Sequence, residues 1–173
     1  TNIVLIDTMG RPVAKQYWYT RGEPVETMRA GLEEMARRVG AGVRVCGVGV
    51  TGSGRYFIGD FVGADVVINE ISAQARAALH LDPEVDTIIE IGGQDSKYIR
   101  CEQGRVVDFE MNKVCAAGTG SFLEEQAARL RVPIRGAFSN LAFASRAPAD
   151  LGARCTVFME SDLIHHQQAG HSL

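Results

Sequence analysis

Residues 88–97 carry the first pattern that could do chemistry. They run IIEIGGQDSK, an apolar stretch followed by Gly92, Gly93, Gln94 and Asp95. Glycines lack a Cβ and let backbone N–H groups approach a phosphate, while a carboxylate in such a loop can face a metal ion. A tight hairpin turn, which favours Gly and Asp, would explain the same residues without a ligand. The segment therefore predicts a phosphate loop or a plain turn.

Two of the four cysteines form the second pattern. Cys115 and Cys155 each lie at, or a few residues before, the start of a predicted helix, where free N–H groups and the helix dipole favour a thiolate. A [4Fe–4S] cluster takes four thiolates, so a twofold dimer that donates this pair from each subunit would complete it. The alternative is that both are inert core thiols, because Cys packs as a small hydrophobe. Zinc is disfavoured, since no close C-x-x-C spacing occurs.

The remaining cysteines and an adjacent histidine pair are interpreted as structural. Cys46 lies inside a predicted apolar strand, and Cys101 lies at a predicted strand end. His165 and His166 are neighbours in a predicted helix, which separates them by about 100° around its axis. This spacing favours a solvated or interface role over a shared metal.

The elements that must position these residues alternate between strand and helix in the N-terminal half. Apolar runs predict a hairpin of strands Ile3–Asp7 and Val13–Tyr19 around a glycine turn. Apolar residues at helical spacing predict an amphipathic helix over Pro24–Val39. A buried strand is predicted over Val43–Val50, and an alanine-rich helix over Ile71–His80. The alternation is typical of an α/β fold.

A second set of elements follows residue 83, where Pro83 and its acidic neighbours interrupt the preceding helix. We therefore expect two lobes, residues 1–83 and residues 84–173. The predicted strands of the second lobe are Thr87–Ile91, Ser96–Cys101 and Arg105–Glu110, and its predicted helices are Ser121–Leu130 and Thr156–Gln168.

Composition narrows the class of protein. The chain has 173 residues, 46% of them hydrophobic and 23% charged, which is typical of a soluble globular protein. A formal net charge of −3 argues against a nucleic-acid surface. No apolar run is long enough to span a membrane, and the N-terminus lacks a signal-peptide profile. We expect a cytoplasmic location without nucleic-acid or membrane partners.

Three motifs occur in the order IGGQD at residues 91–95, CAAGTGSFL at residues 115–123 and CTVFMES at residues 155–161. Together they resemble the ATP-driven iron–sulfur activators of 2-hydroxyacyl-CoA dehydratases and of benzoyl-CoA reductase-type enzymes. VTGSGR at residues 50–55 and NEI at residues 69–71 also match, so the resemblance runs from about residue 3 to residue 170. The chain is most similar to the activator domain of a long, multidomain subgroup. One difference is Gln74, where the family often has His.

The resemblance implies the two-lobed α/β fold of the actin-like (ribonuclease H-like) ATPases, with MgATP between the lobes. Asp95 would position the metal ion and the attacking water, and Gln94 would contact the phosphates together with the Gly92 and Gly93 backbone. Glu70 is a second candidate for the water. The remaining implied nucleotide contacts are Gly52, Gly118, Thr119 and Gly120.

The resemblance also assigns the cluster. Cys115 and Cys155 would hold one [4Fe–4S] cluster at the interface of a homodimer. ATP hydrolysis would then drive a low-potential electron into a CoA-ester dehydratase or reductase, with ferredoxin or flavodoxin as the electron donor.

Two segments found in the family lie outside this sequence. Family members begin with a D-x-G-x-T phosphate loop and continue into an adenosine-binding segment, whereas this chain runs from Thr1 to Leu173 between them. We therefore expect little ATP turnover from the chain as given. Two other functions stay open: a sugar or acid kinase of the same fold without a cluster, and a cluster-binding fragment that does not hydrolyse ATP.

Overall fold

The computed structural model describes residues 1–113, 116–152 and 155–171. The chain divides into two compact units, Thr1–Ala77 and Ala78–Leu173. The lobe boundary expected after residue 83 stays a prediction.

The first unit opens with the expected hairpin. Strands β1 (Asn2–Ile6) and β2 (Pro12–Tyr17) pair antiparallel. Helix α1 (Pro24–Val39) follows with the predicted bounds and begins at a proline, whose missing N–H costs nothing in the first turn. The hairpin and α1 approach closely, because a methyl group at Gly31 would overlap the end of the Ile3 side chain.

The strand predicted over Val43–Val50 is largely wrong. Only β3 (Gly49–Val50) forms, and it pairs in parallel with the two-residue β4 (Val66–Val67). Val43 is 45% and Val45 60% exposed, and Cys46 is exposed outside any strand rather than buried within one. A strand needs a neighbouring strand for its N–H and C=O groups, and among the described residues β3 has only β4. An apolar cavity of about 770 Å³ lies between this segment, β1 and α1.

Two helices complete the first unit. Helix α2 (Arg55–Val62) has no counterpart in the sequence prediction, whereas α3 (Glu70–Leu81) confirms the predicted alanine-rich helix. The last turn of α3 belongs to the second unit. The buried apolar side chains of the first unit are Met35, Ile58, Ile71 and Ala75.

The second unit is built on the three strands that the sequence predicts. Strands β5 (Thr87–Ile91), β6 (Ser96–Glu102) and β7 (Arg105–Met111) form an antiparallel sheet with β6 in the centre. Ile99 and Cys101 on β6 are 0% and 2% exposed, so Cys101 is a core residue as expected.

Three helices follow the sheet. Helices α4 (Gly120–Arg129) and α6 (Thr156–Gln168) confirm the predictions, while α5 (Ser139–Ala144) follows a kinked turn at Ile134–Phe138 and has no counterpart in them. An ion pair of Arg129 with Glu160 joins α4 to α6. Within the described part of the chain, none of the helices combines the length and the apolar character that crossing a membrane requires.

Candidate functional site

The loop between β5 and β6 has a fixed backbone. Ile91 pairs with Ser96 at the end of the strand ladder, and the Gly92 N–H donates to the Asp95 carbonyl at 2.8 Å. The Ser96 N–H donates to Oδ1 of Asn112 at 2.8 Å, which ties the loop to the end of β7. Gln94 is exposed in this loop.

Position 92 requires glycine, because neighbouring oxygens leave no room for a side chain. A Cβ at this position would lie 2.9 Å from Oδ1 of Asp95, 2.9 Å from Oε1 of Glu90 and 3.1 Å from the Asp95 carbonyl oxygen. Real Cβ atoms essentially never approach within 3.0 Å, so a side chain would force the carboxylates apart. A Cβ added at Gly93 would have no other atom within 4 Å. The first glycine therefore lets two carboxylates converge beside the loop.

Lys97 joins these two carboxylates. Its Nζ lies 2.9 Å from Oε2 of Glu90 and 2.8 Å from Oδ1 of Asp95. The Lys97 side chain is 7% exposed, against 24% for Glu90 and 37% for Asp95. Burial acts to lower the pKa of Lys97, but the hydrogen bonds that its ammonium group donates to Asp95 and Glu90, together with the charges of these carboxylates, outweigh burial and hold the pKa above its usual value. The ammonium group therefore stays charged beside the loop.

The N-terminus of α4 holds the loop from the other side. The Gly120 N–H donates to the Gly92 carbonyl at 2.8 Å, and the Ser121 N–H donates to the Gly93 carbonyl at 2.9 Å. Thr119 is 2% exposed, and its hydroxyl lies 3.0 Å from the Gly93 carbonyl and closer to the Ala116 carbonyl, either of which can accept its one proton. A Cβ at Gly120 would lie 3.0 Å from the Gly92 carbonyl oxygen, so the close approach needs glycine here too.

Residues 116–120 also contact the start of α6. A Cβ at Gly118 would lie 3.4 Å from the methyl carbon of Thr156, the first residue of that helix. Cys155 precedes it as the N-cap, and its thiol is exposed. The adjacent Val157 and Phe158 are 57% and 62% exposed, so an apolar surface borders the thiol. Cys115, the other predicted ligand, lies outside the described residues.

The predicted residues of the first unit are joined by an arginine. Arg55 Nη1 donates to the Gly52 carbonyl at 3.1 Å and to Oε2 of Glu70 at 2.9 Å. Its guanidinium carbon lies 4.8 Å from the centre of the Tyr56 ring, a cation–π distance. Gly52 and Glu70 are thus brought together through Arg55.

Two basic residues, Arg55 in the first unit and Lys97 in the second, were missed by the sequence reasoning. For Lys97 a signal was present: in a tight β5–β6 hairpin Glu90 stands directly opposite Lys97, and opposite charges across a strand pair attract. Arg55 lies in the VTGSGR motif, but its partner is 15 residues further along and no local pattern indicates it.

The histidine pair lies at the end of α6. His165 is exposed, and the His166 ring lies edge-on to His171 with ring centres 4.8 Å apart. In the parts of the chain that the structure describes, no three His, Cys, Asp or Glu side chains converge as a metal site.

The donor chemistry fits a magnesium nucleotide. Mg²⁺ is commonly bound by one or two carboxylates together with substrate phosphates rather than by an all-protein cage. Asp95 and Glu90 provide such carboxylates beside Gly92, where a side chain would fill the space. For an iron–sulfur cluster the described donor is the exposed Cys155 thiol at the N-terminus of α6.

Comparison with known proteins identifies relatives along the whole chain. A model of the BadF/BadG/BcrA/BcrD ATPase family matches residues 2–172. The 2-hydroxyisocaproyl-CoA dehydratase activator of Clostridioides difficile is 41% identical over 118 residues, which is 68% of this chain and 43% of that protein.

Two solved structures are similar over 99% of this chain. The activator of 2-hydroxyisocaproyl-CoA dehydratase from Clostridium difficile with bound ADPNP has a TM-score of 0.82 at 31% identity, with 63% of that chain covered. Component A of (R)-2-hydroxyglutaryl-CoA dehydratase from Acidaminococcus fermentans has a TM-score of 0.83 at 30% identity, with 65% of that chain covered. The predicted α/β fold of the actin-like ATPase type is confirmed. The chain spans less than half of the curated relative and under two thirds of either solved chain.

Proposed function

Because the chain belongs to the BadF/BadG/BcrA/BcrD ATPase family, we propose that it is part of an ATP-driven activator of a 2-hydroxyacyl-CoA dehydratase or a related CoA-ester reductase. The activator passes a low-potential electron to that enzyme. Ferredoxin or flavodoxin supplies the electron, and the protein works in the cytoplasm, where a reducing environment keeps ligand thiols available.

One observation carries this proposal: residues 116–120 are bonded to the Gly92–Asp95 loop and approach the start of the Cys155 helix. Gly120 donates to the loop carbonyl of Gly92, and a Cβ at Gly118 would lie 3.4 Å from the Thr156 methyl carbon. A phosphate-induced shift of the loop would therefore be passed on through residues 116–120 toward the helix that begins after Cys155. A kinase has no need for such a connection.

On the nucleotide side, Asp95 would hold the magnesium ion of MgATP and orient the attacking water. Gln94 and the backbone of Gly92 and Gly93 would contact the phosphates. Glu70, held by Arg55, is a second candidate for orienting the water, and Gly52 is a further candidate for contact with the nucleotide. Gly118, Thr119 and Gly120 would contact the nucleotide from the start of α4, where Thr119 and Gly120 also bond to the Gly92–Asp95 loop.

The cluster side of the proposal uses the two motif cysteines. Cys155 and Cys115 from each of two subunits provide the four thiolates that a [4Fe–4S] cluster takes. When bound, such a cluster supplies one-electron transfer at low potential. The exposed Val157 and Phe158 beside Cys155 would be covered by the second subunit of the homodimer.

The test is iron analysis of protein purified without oxygen. We expect brown protein with about four iron atoms per two chains, since one cluster joins two subunits. Cys155→Ser and Cys115→Ser should each remove the iron, whereas the exposed Cys46 serves as the control and Cys46→Ser should retain it. Colourless wild-type protein that phosphorylates a sugar or an acid would instead support the kinase alternative.

A further inference from the structure

The charge around Gly92 is only partly balanced. Glu90 and Asp95 contribute two carboxylates and Lys97 contributes one ammonium group, with Nζ–O distances of 2.9 and 2.8 Å. Both carboxylates approach the same glycine, at 2.9 Å from its missing Cβ. One net negative charge therefore remains at a place where a metal ion could bind.

Lys97 also decides which oxygens stay available. It binds Oδ1 of Asp95 and Oε2 of Glu90, and the remaining oxygen of Glu90 belongs to the less exposed of the two side chains, 24% against 37%. This leaves Oδ2 of Asp95, on a side chain that is 37% exposed, as the oxygen best placed for a ligand. One carboxylate oxygen is too little for tight binding of a bare divalent cation, which prefers several hard oxygen ligands.

Resting on the nucleotide site proposed above, we propose that Lys97 is a positioning residue that makes divalent-metal binding at Asp95 depend on the nucleotide. With Lys97 in place, the site has too few free oxygen donors and too little negative charge to hold the cation until the phosphates of ATP or ADP supply both. Without Lys97, Glu90 and Asp95 form a two-carboxylate pocket that binds the cation alone. The ammonium group thus prevents the loop from being filled by free metal ahead of the nucleotide.

The experiment measures Mn²⁺ binding by the electron paramagnetic resonance signal of the free ion, with and without ADP. Wild-type protein should bind Mn²⁺ far more tightly in the presence of ADP. In Lys97→Met, Mn²⁺ should bind without ADP, and the enhancement by ADP should fall by about 10- to 100-fold, because a positive charge a few ångströms from the cation has been removed.

Two variants serve as controls. Arg100→Met removes a positive charge from the same strand, where the Arg100 side chain is 49% exposed, and should leave the enhancement unchanged. The double variant Glu90→Gln with Lys97→Met has the wild-type net charge and should again require ADP. An unchanged enhancement in Lys97→Met, or a double variant that behaves like Lys97→Met, would overturn the inference.

Two further results separate folding and function from this inference. If circular dichroism shows that Lys97→Met does not fold, the single variant Glu90→Gln tests the inference instead. This variant makes the site neutral, so it should weaken Mn²⁺ binding in the presence of ADP. Unchanged Mn²⁺ binding would contradict the inference. Wild-type protein that binds no Mn²⁺ even with ADP would instead contradict the proposed nucleotide site itself.

Discussion

Strand β6 and the segment at residues 43–50 are both predicted as strands beside a glycine loop, yet they differ in structure. β6 alternates buried with more exposed residues, has a hydrogen-bonded neighbour on each side, and buries its Ile99 fully. The segment at residues 43–50 is more apolar, but it pairs only at Gly49 and Val50 and borders a cavity. The difference teaches that apolar character alone does not make a strand, because the backbone N–H and C=O groups need partner strands as much as the side chains need a core.

The same contrast extends to the two glycine loops. The Gly92–Asp95 loop is fixed by the strand ladder, by Asn112 and by the N-terminus of α4. The loop after β3 is held at Gly52 by the Arg55 side chain. We infer that the shape of the first loop is imposed by its neighbours rather than by its own sequence.

The largest expected effect comes from removing buried volume in the central strand. Ile99→Ala should lower the free energy of unfolding by about 2–5 kcal/mol, because it deletes fully buried methyl and methylene groups. Val45→Ala in the other segment should change it by less than about 0.5 kcal/mol, since that side chain is 60% exposed. Urea unfolding followed by circular dichroism measures both. Equal losses of unfolding free energy in the two variants would contradict the difference between β6 and the segment at residues 43–50.

A smaller effect is expected from adding one methyl group to the loop. Gly92→Ala should cost about 1–3 kcal/mol through overpacking, because the new Cβ would meet the Asp95 and Glu90 carboxylates. Gly93→Ala is the matched control, with open space around its Cβ. The unfolding free energy should fall in the first variant and stay near wild type in the second, and the MgADP affinity of the first variant should fall as well. If Gly93→Ala is the more damaging change, the loop is held differently from this account.

The smallest effect concerns the hairpin turn of the first unit. The pKa of Asp7 is held below its usual value, first by the backbone N–H of Arg11 and then by the Arg11 side chain. A lowered folded-state pKa contributes stability that is present above the unfolded value of about 3.9 and is lost as the pH falls through the folded value. Wild type should therefore exceed Asp7→Asn in stability at neutral pH, and the difference should vanish in acid. Asp60→Asn controls for losing one surface carboxylate, and a difference that persists in acid would contradict the assignment.

Much of the fold follows from local sequence. Helix α1 begins at Pro24 and ends before Gly40, so its bounds could be predicted from the residues at its ends. The antiparallel strands β5 to β7 follow one another through short turns and could be predicted equally well. By contrast, the absence of a strand over Val43–Val48 depends on which strands lie beside it, and no pattern within the segment contains that information. Helix α2 was missed because Gly59 and its aromatic neighbours obscure a short helix.

The candidate site, too, could be predicted only where it depends on residues close together in the sequence. The glycines and Asp95 could be found because a phosphate loop needs those residue types in sequence. The bonds from Gly120 and Ser121 to the loop carbonyls join residues far apart in the chain, so only the folded structure reveals them. The cross-strand pair of Glu90 and Lys97 lies between these cases, since the hairpin register makes it predictable once the turn is known.

The central claim is that nucleotide binding at Asp95 reaches a cluster held by Cys155, and the electron paramagnetic resonance spectrum of the reduced protein tests it most directly. The spectrum should be that of a reduced [4Fe–4S] cluster, and MgADP should change it in wild-type protein. Asp95→Asn should abolish the change, while Asp108→Asn, an exposed position on β7, should retain it. A spectrum that lacks the cluster signal, or one that MgADP leaves unchanged in wild-type protein, would contradict the account.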